Sequence, residues 1–331
     1  MIEVLKTGPL NTVQDLGRSG FRHLGVSVSG AMDSMALRVG NLLLGNAENA
    51  AGVEIQFFPF RARFLADTAI ALTGADCRAL LDDVPLPSWW AHRVRAGQQL
   101  EIRYPPHGAR GYLCVAGGID VPQVMGSRST ALRGGFGGWQ GRPLQNGDRL
   151  PLGRNENRPL SLPAGGMGVE PPEVALAAFF PRTPEGVPQL RAIPAGEYGL
   201  FAADARRFWS QHWVVSRQSN RTGYRLSGEP LRPSAVVEMR SYGLIPGIVQ
   251  VPPAGEPIIQ LSDANTAGGY PKIAGVIEHD LWRLAQIRPG QAIQLIESDM
   301  QEAIAVERAV DVYLAALRRD APQLAQVACD L

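Results

Sequence analysis

The sequence predicts a mainly β fold with some α-helix, divided into two β-rich domains. The length of 331 residues, at roughly 150 residues per domain, favours two domains. The chain contains 37 glycines and 26 prolines, so it turns often, which favours short strands over long helices. Apolar segments of strand length also recur about every 8 to 12 residues with Gly, Pro or Asp between them, a spacing typical of sandwiches and barrels.

The first half is predicted to contain strands and one short helix. The segment IEVLK at 2–6 predicts the first strand. Ser29 or Asp33 then starts a helix of apolar residues that Gly45 and Asn46 end, because these residue types cap helices. Further strands between 53 and 118 are predicted in the segments VEIQFF, ARFLA, AIALTG, CRALLDD, QQLEIRY and GYLCVAGG.

The second half repeats this pattern after a proline-rich connection. We expect an N-terminal β domain at 1–160, a connecting segment at 161–188 and a C-terminal β domain at 189–331 that includes a terminal helix. Residues 300–318 carry an apolar stripe opposite charged residues, which predicts that helix. Strands are predicted in LRAIPAGEY, WVVSRQS, VVEMRSYG, GIVQVP, PIIQLSD, KIAGVIE and QAIQLIE.

Composition and charge exclude several classes of protein. Hydrophobic residues make up 45% and charged residues 19%, as in ordinary globular proteins. A formal charge of +1 argues against a broad surface for nucleic acid or an anionic membrane. The longest apolar run, 174–180, is too short to span a membrane, and the first residues lack the apolar region of a signal peptide. We therefore expect a cytoplasmic protein without nucleic-acid or membrane partners.

The common catalytic and metal motifs are missing from the sequence. It has no GxxxxGK[ST] segment, so ATP is not expected to bind through a P-loop of this chain, and it has no GxSxG or HExxH. The five histidines lack metal-ligand spacing, and we predict no metal site. Cys77, Cys114 and Cys329 are far apart, which favours free buried thiols over disulfides or zinc binding.

Four segments crowd glycine and polar residues together and are candidates for a site. The first contains Gln14, Asp15 and Asp33, and the second is the run Gly126 to Thr130 with Ser127 and Arg128. In the second, an arginine among hydroxyls and open backbone N–H groups suits a carboxylate or phosphate, although a polar turn explains the run equally well.

The third segment places Arg221 and Arg225 on either side of Gly223. If both guanidinium groups face one pocket, they can clamp a planar anion. A solvated loop is the alternative interpretation of this spacing.

The fourth segment, 263–272, is the most informative. Asp263 follows a buried-looking strand, and Gly268 and Gly269 permit close approach of a ligand. Tyr270 and Lys272 add a phenol and an ammonium, and Thr266 lies between them and Asp263. Only Lys6 and Lys272 are lysines among 32 basic residues. We predict Asp263 as general base, Tyr270 as donor and Lys272 as oxyanion partner, although Lys6 at an ordinary strand end shows that rarity alone proves nothing.

These segments resemble, in order and wording, the biotin-dependent carboxyltransferase-like family, which is also known as allophanate hydrolase subunit 2, as KipA-type, or as the C subunit of 5-oxoprolinase. The resemblance extends from residue 2 to about 296. The matching text is TVQDLGRSGFRHLGVSVSGAMD, RVGNLLLGN, VAGGIDVPQVMGSRST, GGWQGRPLQNGD, RTGYRLSG, GIVQVPPAGEPIIQLSDANTAGGYPKIAGVI and LAQIRPGQ.

The resemblance implies two cyclophilin-like β-barrel domains and an enzyme that is active only with partner subunits. The partners would be a KipI-like protein, which is the B subunit, and a LamB/YcsF-type protein, which is the A subunit. Such a complex is similar to the ATP-dependent 5-oxoprolinase, which converts 5-oxo-L-proline to L-glutamate. ATP would phosphorylate the lactam oxygen before water attacks. Arg128, Arg221 and Arg225 would then neutralise phosphate or carboxylate charge, and Asp263 would orient or deprotonate the water.

Two alternatives stay open within this resemblance. One is carboxyl transfer from biotin, carried on another protein, to urea or a related amide. The other is a regulatory KipA-type protein that binds a KipI-like inhibitor of a histidine kinase and performs no catalysis. The sequence departs from the family at Ala264 and Ala267, where arginine and threonine are usual, and at Glu278-His279-Asp280, where Ser-Ala-Asp is usual.

Overall fold

The chain is described by a computed structural model that covers residues 1–154, 162–163, 165–235 and 239–327, with side chains described up to 320. It is mainly β with few helices. The strands are β1 Ile2–Lys6, β2 Thr12–Gln14, β3 Gly52–Ile55, β4 Phe60–Phe64, β5 Thr68–Gly74, β6 Leu80–Leu81, β7 Val84–Pro85, β8 Trp90–Val94, β9 Gln99–Ile102, β10 Gly111–Val115, β11 Arg149–Leu150, β12 Met167–Gly168, β13 Gln189–Pro194, β14 His212–Val215, β15 Gly223–Ser227, β16 Tyr242–Gly243, β17 Ile248–Gln250, β18 Ile258–Gln260, β19 Ala267–Gly268, β20 Lys272–Val276 and β21 Ala292–Glu297. The α-helices are α1 Ser34–Leu43, α2 Pro172–Ala175, α3 Ala205–Ser210, α4 Glu278–Leu284 and α5 Met300–Val327.

The chain divides into two compact units. The first unit comprises Met1–Arg18, Ser29–Pro172 and the C-terminal segment from Val312, and the second comprises Ser19–Val28 and Glu173–Asp311. The predicted domains were contiguous, whereas these units are not. The reason lies in long-range hydrogen bonds: Arg22 donates to backbone oxygens of the second unit, and Tyr313 donates to the carbonyl oxygen of Glu170 in the first.

The first unit contains two six-stranded sheets. Their strand orders are β11-β1-β4-β9-β6-β7 and β12-β8-β5-β10-β3-β2. Alternate residues of β1 and β4, such as Val4, Phe60 and Phe64, are fully buried, because successive strand residues point to opposite faces. They form one apolar cluster with residues of the other sheet, such as Val53 and Leu113.

Helix α1 begins where the sequence predicts. Asp33 is its N-cap, and the Asp33 carboxylate accepts a 2.8 Å hydrogen bond from the backbone N–H of Ala36. Ser29 lies before the helix with φ of 57°. The side chain of Thr73 on β5 donates to the carbonyl oxygen of Ala36, which fixes the helix to the sheet. This anchoring holds the Ser29–Asp33 segment in place.

The second unit is a closed barrel with strand order β13-β20-β17-β18-β15-β14-β21. Strands β13 and β21 pair in parallel and close it. Fully buried Val249, Ile259 and Ala274 lie opposite one another on β17, β18 and β20 and belong to its apolar core. Strands β16 and β19 form a separate two-stranded ribbon. This ribbon carries part of the fourth polar segment.

A buried ion cluster holds α4 to the barrel. The carboxylate of Asp280 accepts from the Nε and Nη2 atoms of Arg191 at 2.9 and 3.0 Å and from Arg283 at 3.2 Å. Phe180 lies beside both guanidinium groups. Removing one partner would leave a buried charge uncompensated. The role of Asp280 in this cluster is therefore structural.

The mainly β fold with a C-terminal helix is confirmed. The predicted helix at 300–318 extends over Met300–Val327, while β8 and α4 were not predicted. Part of the predicted strand VVEMRSYG, residues 236–238, lies outside the described residues, as do positions 161 and 164 of the predicted connection and Cys329. Cys77 and Cys114 are buried thiols as expected, and burial raises the pKa of Cys114 to about 12. Within the described ranges, no helix combines the length and apolarity needed to cross a bilayer.

Candidate functional site

In the first unit, the predicted residues Asp15 and Ser127 form a closed hydrogen-bond cluster. The buried carboxylate of Asp15 accepts from the hydroxyls of Ser127 and Ser129 and from the backbone N–H groups of Gly17 and Arg128. A carboxylate with this many donors is satisfied without a ligand. The cluster joins the first and second polar segments, which are more than a hundred residues apart in sequence.

The neighbouring side chains of this cluster are also engaged. Arg128 donates through Nε to the carbonyl oxygen of Val121 and pairs with Asp120 at 3.4 Å. Gln14 donates to Thr130 and accepts from the N–H of Gly30, so its amide holds the two segments together. The substrate-binding roles predicted for Ser127 and Arg128 remain predictions, but their bonds give both a structural function.

Asp33 lies in a second buried network of the first unit. Its backbone N–H donates to the hydroxyl of Tyr112, which in turn donates to Glu54 at 2.6 Å. Glu54 also accepts from the N–H of Met32. Burial and the nearby carboxylate of Glu54 hold the pKa of Tyr112 well above its ordinary value. Asp33 therefore serves as helix cap and network member at once.

In the second unit, Arg221 and Asp263 bind each other. The Nε of Arg221 lies 2.9 Å from one carboxylate oxygen of Asp263, and Nη2 lies 3.3 Å from the other. The backbone N–H of Asp263 also donates to the carbonyl oxygen of Arg221. Both side chains are buried. If Asp263 acts as a general base, it must accept the proton while its carboxylate is paired with the guanidinium of Arg221.

Arg225 has a different environment from Arg221. It lies on β15, between buried Tyr224 and Leu226, and is exposed. Arg221 precedes the strand in a turn, so the four-residue spacing does not bring the two guanidinium groups into one buried contact. A strand alternates its side chains with period two, which explains why Arg225 points to solvent while its neighbours are buried.

Lys272 begins β20 and is the most unusual charged residue of the second unit. Its side chain is 4% exposed, and its Nζ has no hydrogen-bond partner among the described residues. The Nζ lies over the ring of Tyr242, 2.7 Å from the ring centroid. Burial lowers the pKa of Lys272, and the charge of Glu197 opposes this shift. The Tyr242 ring thus covers one side of the ammonium, while none of its N–H groups has an oxygen or nitrogen acceptor among the described residues.

Glu197 fixes the surroundings of Lys272 without binding its ammonium. One carboxylate oxygen, Oε2, accepts from the hydroxyl of Tyr242 at 2.6 Å and from the backbone N–H of Lys272 at 2.9 Å. Desolvation, with the Glu197 contact, raises the pKa of Tyr242, which keeps the hydroxyl protonated as a donor. Glu197 therefore sets the orientation of the ring that covers the ammonium.

The ribbon places its glycines next to the barrel. A side chain at Gly268 would approach the amide of Gln250 to 2.9 Å, and one at Gly269 would approach the carbonyl oxygen of Met239 to 3.0 Å. The close neighbour of Gly268 is thus a protein side chain, and the approach of a ligand to Gly268 and Gly269 remains a prediction. The carbonyl oxygen of half-buried Thr266 accepts from the N–H of Leu244, so Thr266 contributes through its backbone.

Tyr270 also contributes through its backbone. Its carbonyl oxygen accepts from Nε2 of Gln250 at 3.2 Å, whereas its ring is exposed. Gln250 in turn accepts from Nε2 of Gln260 at 3.1 Å. The predicted donor role of the Tyr270 phenol remains a prediction.

The sequence reasoning did not single out Glu197, Tyr242, Gln250 or Gln260. For the two glutamines a signal exists, because each interrupts an apolar strand segment, IVQV or IIQL, with a polar side chain. A buried polar residue in a strand requires a hydrogen-bond partner and is therefore informative. For Glu197 and Tyr242 we find no comparable signal in the sequence.

The fold and this buried polar site define the chain as a β-barrel protein of the carboxyltransferase-like class. Its sequence matches the family model "Carboxyltransferase domain, subdomain A and B" over residues 24–297, and the chain belongs to this family.

Two relatives that match nearly the full length are both named as the C subunit of 5-oxoprolinase. The chain is 44% identical to the one from Escherichia coli (strain K12), over 92% of this chain and 93% of that protein. It is 40% identical to the one from Haemophilus influenzae, over 96% and 98%.

A solved structure agrees with the fold. The Kluyveromyces lactis urea carboxylase is 29% identical with a TM-score of 0.84, and the match covers 97% of this chain but only 29% of that one.

The family departures fall on positions with different exposure. Ala264 is buried and Ala267 is exposed on the ribbon. Both lie in the segment that links Asp263 to Gly268. The departure at 264 therefore affects packing near Asp263, whereas the one at 267 affects the outer surface of the ribbon.

Proposed function

We propose that this chain is the C-type subunit of an ATP-dependent 5-oxoprolinase that converts 5-oxo-L-proline to L-glutamate. The observation that carries the proposal is the buried ammonium of Lys272, which lacks a hydrogen-bond acceptor among the described residues. It lies in a chain that is 44% identical, over nearly its full length, to a protein named as the C subunit of 5-oxoprolinase. A desolvated ammonium stabilises negative charge that develops on an amide oxygen more strongly than a solvated one.

The chemistry assigned to this chain is limited to its own residues. Lys272 binds the lactam oxygen, and Glu197 holds Tyr242 and the backbone of Lys272 in position. The sequence has no P-loop, so ATP is assigned to the complex. The relatives are each named as one subunit of an enzyme, which supports an assembly. A KipI-like B subunit and a LamB/YcsF-type A subunit are proposed as the partners on the family resemblance of the sequence.

The experiment is reconstitution of the three subunits. We expect 5-oxoproline-dependent hydrolysis of ATP with matching formation of glutamate, and no such activity when this chain is omitted. Lys272→Met should abolish most of the turnover, while Lys6→Met, at the other and exposed lysine, should not change it. A complete complex without 5-oxoproline-dependent hydrolysis would reject the proposal.

A second candidate function is carboxyl transfer from biotin to urea or a related amide. It is favoured by the match to urea carboxylase over 97% of this chain. The sequence lacks a biotin-attachment motif, so biotin would be delivered by another protein. Adding a biotinylated, carboxylated carrier separates the two functions, since only this one predicts amide-dependent loss of the carboxyl group from the carrier.

A further inference from the structure

Three polar side chains lie in a row on adjacent strands of the barrel. Gln250 on β17 pairs with Lys272 on β20 where the register between the two strands shifts, and Gln260 on β18 donates to Gln250. Gln250, Gln260 and Lys272 are 4%, 6% and 4% exposed. The Gln250 amide donates to the carbonyl oxygen of Tyr270 and lies next to Gly268 of the ribbon. Gly268 pairs with Tyr242, whose ring lies over the Lys272 ammonium. Gln250 and Lys272 therefore lie against the same ribbon, and Gln260 joins them through its bond to Gln250.

The hydrogen bonds determine which way each amide points. The carbonyl oxygen of Tyr270 can only accept, so Gln250 presents its nitrogen to it and its oxygen to Gln260. Gln260 must therefore use its nitrogen on Gln250. Its Oε1 is left without a hydrogen-bond partner among the described residues. Flipping either amide would place two acceptors against each other.

The row therefore ends in an unmatched acceptor and an unmatched donor. The acceptor is Oε1 of Gln260 and the donor is Nζ of Lys272. Their backbones are two strands apart, roughly 10 Å, a distance that the two long side chains and one small polar group can span. Buried polar atoms are normally paired in native proteins, so two on one surface indicate a ligand that supplies the complementary atoms.

We propose that Lys272 and Gln260 together recognise one amide group of the ligand. The ammonium donates to the carbonyl oxygen and Oε1 of Gln260 accepts the N–H, while Gln250 holds Gln260 in this orientation. The ligand class is a small amide whose C=O and N–H lie on the same side, as in a lactam or a urea. In an ordinary trans amide these groups point in opposite directions and cannot reach both residues. This inference deepens the proposed function and rests on it.

Tyr242 is the residue that the ligand displaces. Its ring covers the Lys272 ammonium and is partly exposed. The bond from the Tyr242 hydroxyl to Glu197 holds the closed position.

The test compares 5-oxo-L-proline with the matching lactone, 5-oxotetrahydrofuran-2-carboxylate, which keeps the carbonyl and lacks the N–H. Calorimetric titration of the full chain, alone and with its partner subunits, measures both affinities. We expect the wild-type protein to prefer the lactam at least tenfold, and Gln260→Leu to lower this ratio to about one. Gln260→Asn, which keeps both an amide donor and an amide acceptor on a shorter side chain, should retain part of the preference for the N–H. Gln301→Leu, at an exposed glutamine of α5, is the control and should not change the ratio.

The outcomes separate the two proposals. A complex that hydrolyses 5-oxoproline with a lactam-to-lactone ratio unaffected by Gln260→Leu overturns the inference and leaves the function standing. Selective lactam binding that depends on Gln260, without hydrolysis in the complete complex, overturns the function alone. If Gln260→Leu does not fold, Gln260→Asn and the wild-type ratio decide, and a wild-type ratio near one overturns the inference. Binding of neither compound overturns both proposals.

Discussion

The Asp15 cluster of the first unit and the Lys272 surroundings of the second unit were both candidates in the sequence, and the segment of Lys272 was the more informative of the two. Each combines glycines, hydroxyls and charges in an apolar context. In the structure they differ in hydrogen-bond balance. The carboxylate of Asp15 accepts from four donors, two hydroxyls and two backbone N–H groups. The ammonium of Lys272 finds no acceptor among the described residues.

This difference shows how a structural cluster is told apart from a binding site. A buried group whose bonds are complete gains nothing from a ligand, and its removal costs stability. A buried group whose bonds are incomplete lowers the stability of the free protein and gains its partner when a ligand binds. The comparison predicts opposite outcomes for substitutions in the two regions.

The largest expected effect is on stability, at Asp15. Asp15→Ala leaves two buried hydroxyls and two partly buried backbone N–H groups without this acceptor, so we expect the free energy of unfolding to fall by about 3–5 kcal/mol. Urea denaturation measures this change, with Asp311→Ala, at an exposed carboxylate, as control. Normal stability combined with lost ligand binding would contradict the comparison, because it would make Asp15 the ligand group.

The second effect is on turnover, at Lys272. Lys272→Met removes an oxyanion partner, and we expect kcat of the reconstituted complex to fall by roughly 10²–10³-fold. The melting temperature of the chain should stay unchanged or rise, because an uncompensated buried charge is removed. Lys6→Met provides the matched control for both measurements. Unfolding of Lys272→Met would place Lys272 with the structural residues.

The third effect is a pH dependence. Since the folded protein lowers the pKa of Lys272 below its ordinary 10.5, the unfolded chain binds more protons in the window between these two values. Stability of the wild-type protein relative to Lys272→Met should therefore rise with pH through that window. Lactam affinity should fall there, because the donor loses its proton. Denaturation and ligand titration of both proteins at a series of pH values measure the two dependences. If stability changes with pH in the same way in the wild-type protein and in Lys272→Met, the ammonium is not buried as described.

The smallest effect is expected at Tyr242. Tyr242→Phe removes only the hydroxyl bond to Glu197 and keeps the ring, so the free energy of unfolding should fall by about 0.5–1.5 kcal/mol. Lactam affinity should change by less than tenfold. Tyr313→Phe, which loses a bond to the carbonyl oxygen of Glu170, controls for loss of a tyrosine hydroxyl elsewhere. A much larger loss of affinity would assign the phenol itself to the ligand.

Much of the fold was predictable because local signals were strong. Asp33 and Gly45 bracket α1, and strands such as β5 and β21 are apolar segments between turns. Strand β8 was missed because Trp90–Val94 contains His92 and Arg93 within an otherwise apolar segment. The sequence also could not predict that the units are non-contiguous, because this depends on contacts between residues more than two hundred positions apart.

The candidate site was predictable only in part, for a related reason. Lys272 was found through its rarity, but the partners of Arg221 and Asp15 were not, because a sequence shows which residues are charged and not which are already paired. Glu197 comes from a turn seventy-five residues before Lys272. Its role arises from a bond to a backbone N–H, which leaves no pattern in the chain.

The hydrogen bonds of Arg22 have a consequence for the order of events during synthesis. Its guanidinium binds the carbonyl oxygens of Leu244 and Asn265. On the ribosome, Ser19–Val28 is synthesised well before Leu244 and Asn265. This segment can therefore bind its acceptors only after most of the chain has been translated. A polypeptide started at Glu173 would lack the segment altogether. Adding residues 19–28 as a separate peptide would then show whether the rest of the second unit needs this segment in order to fold.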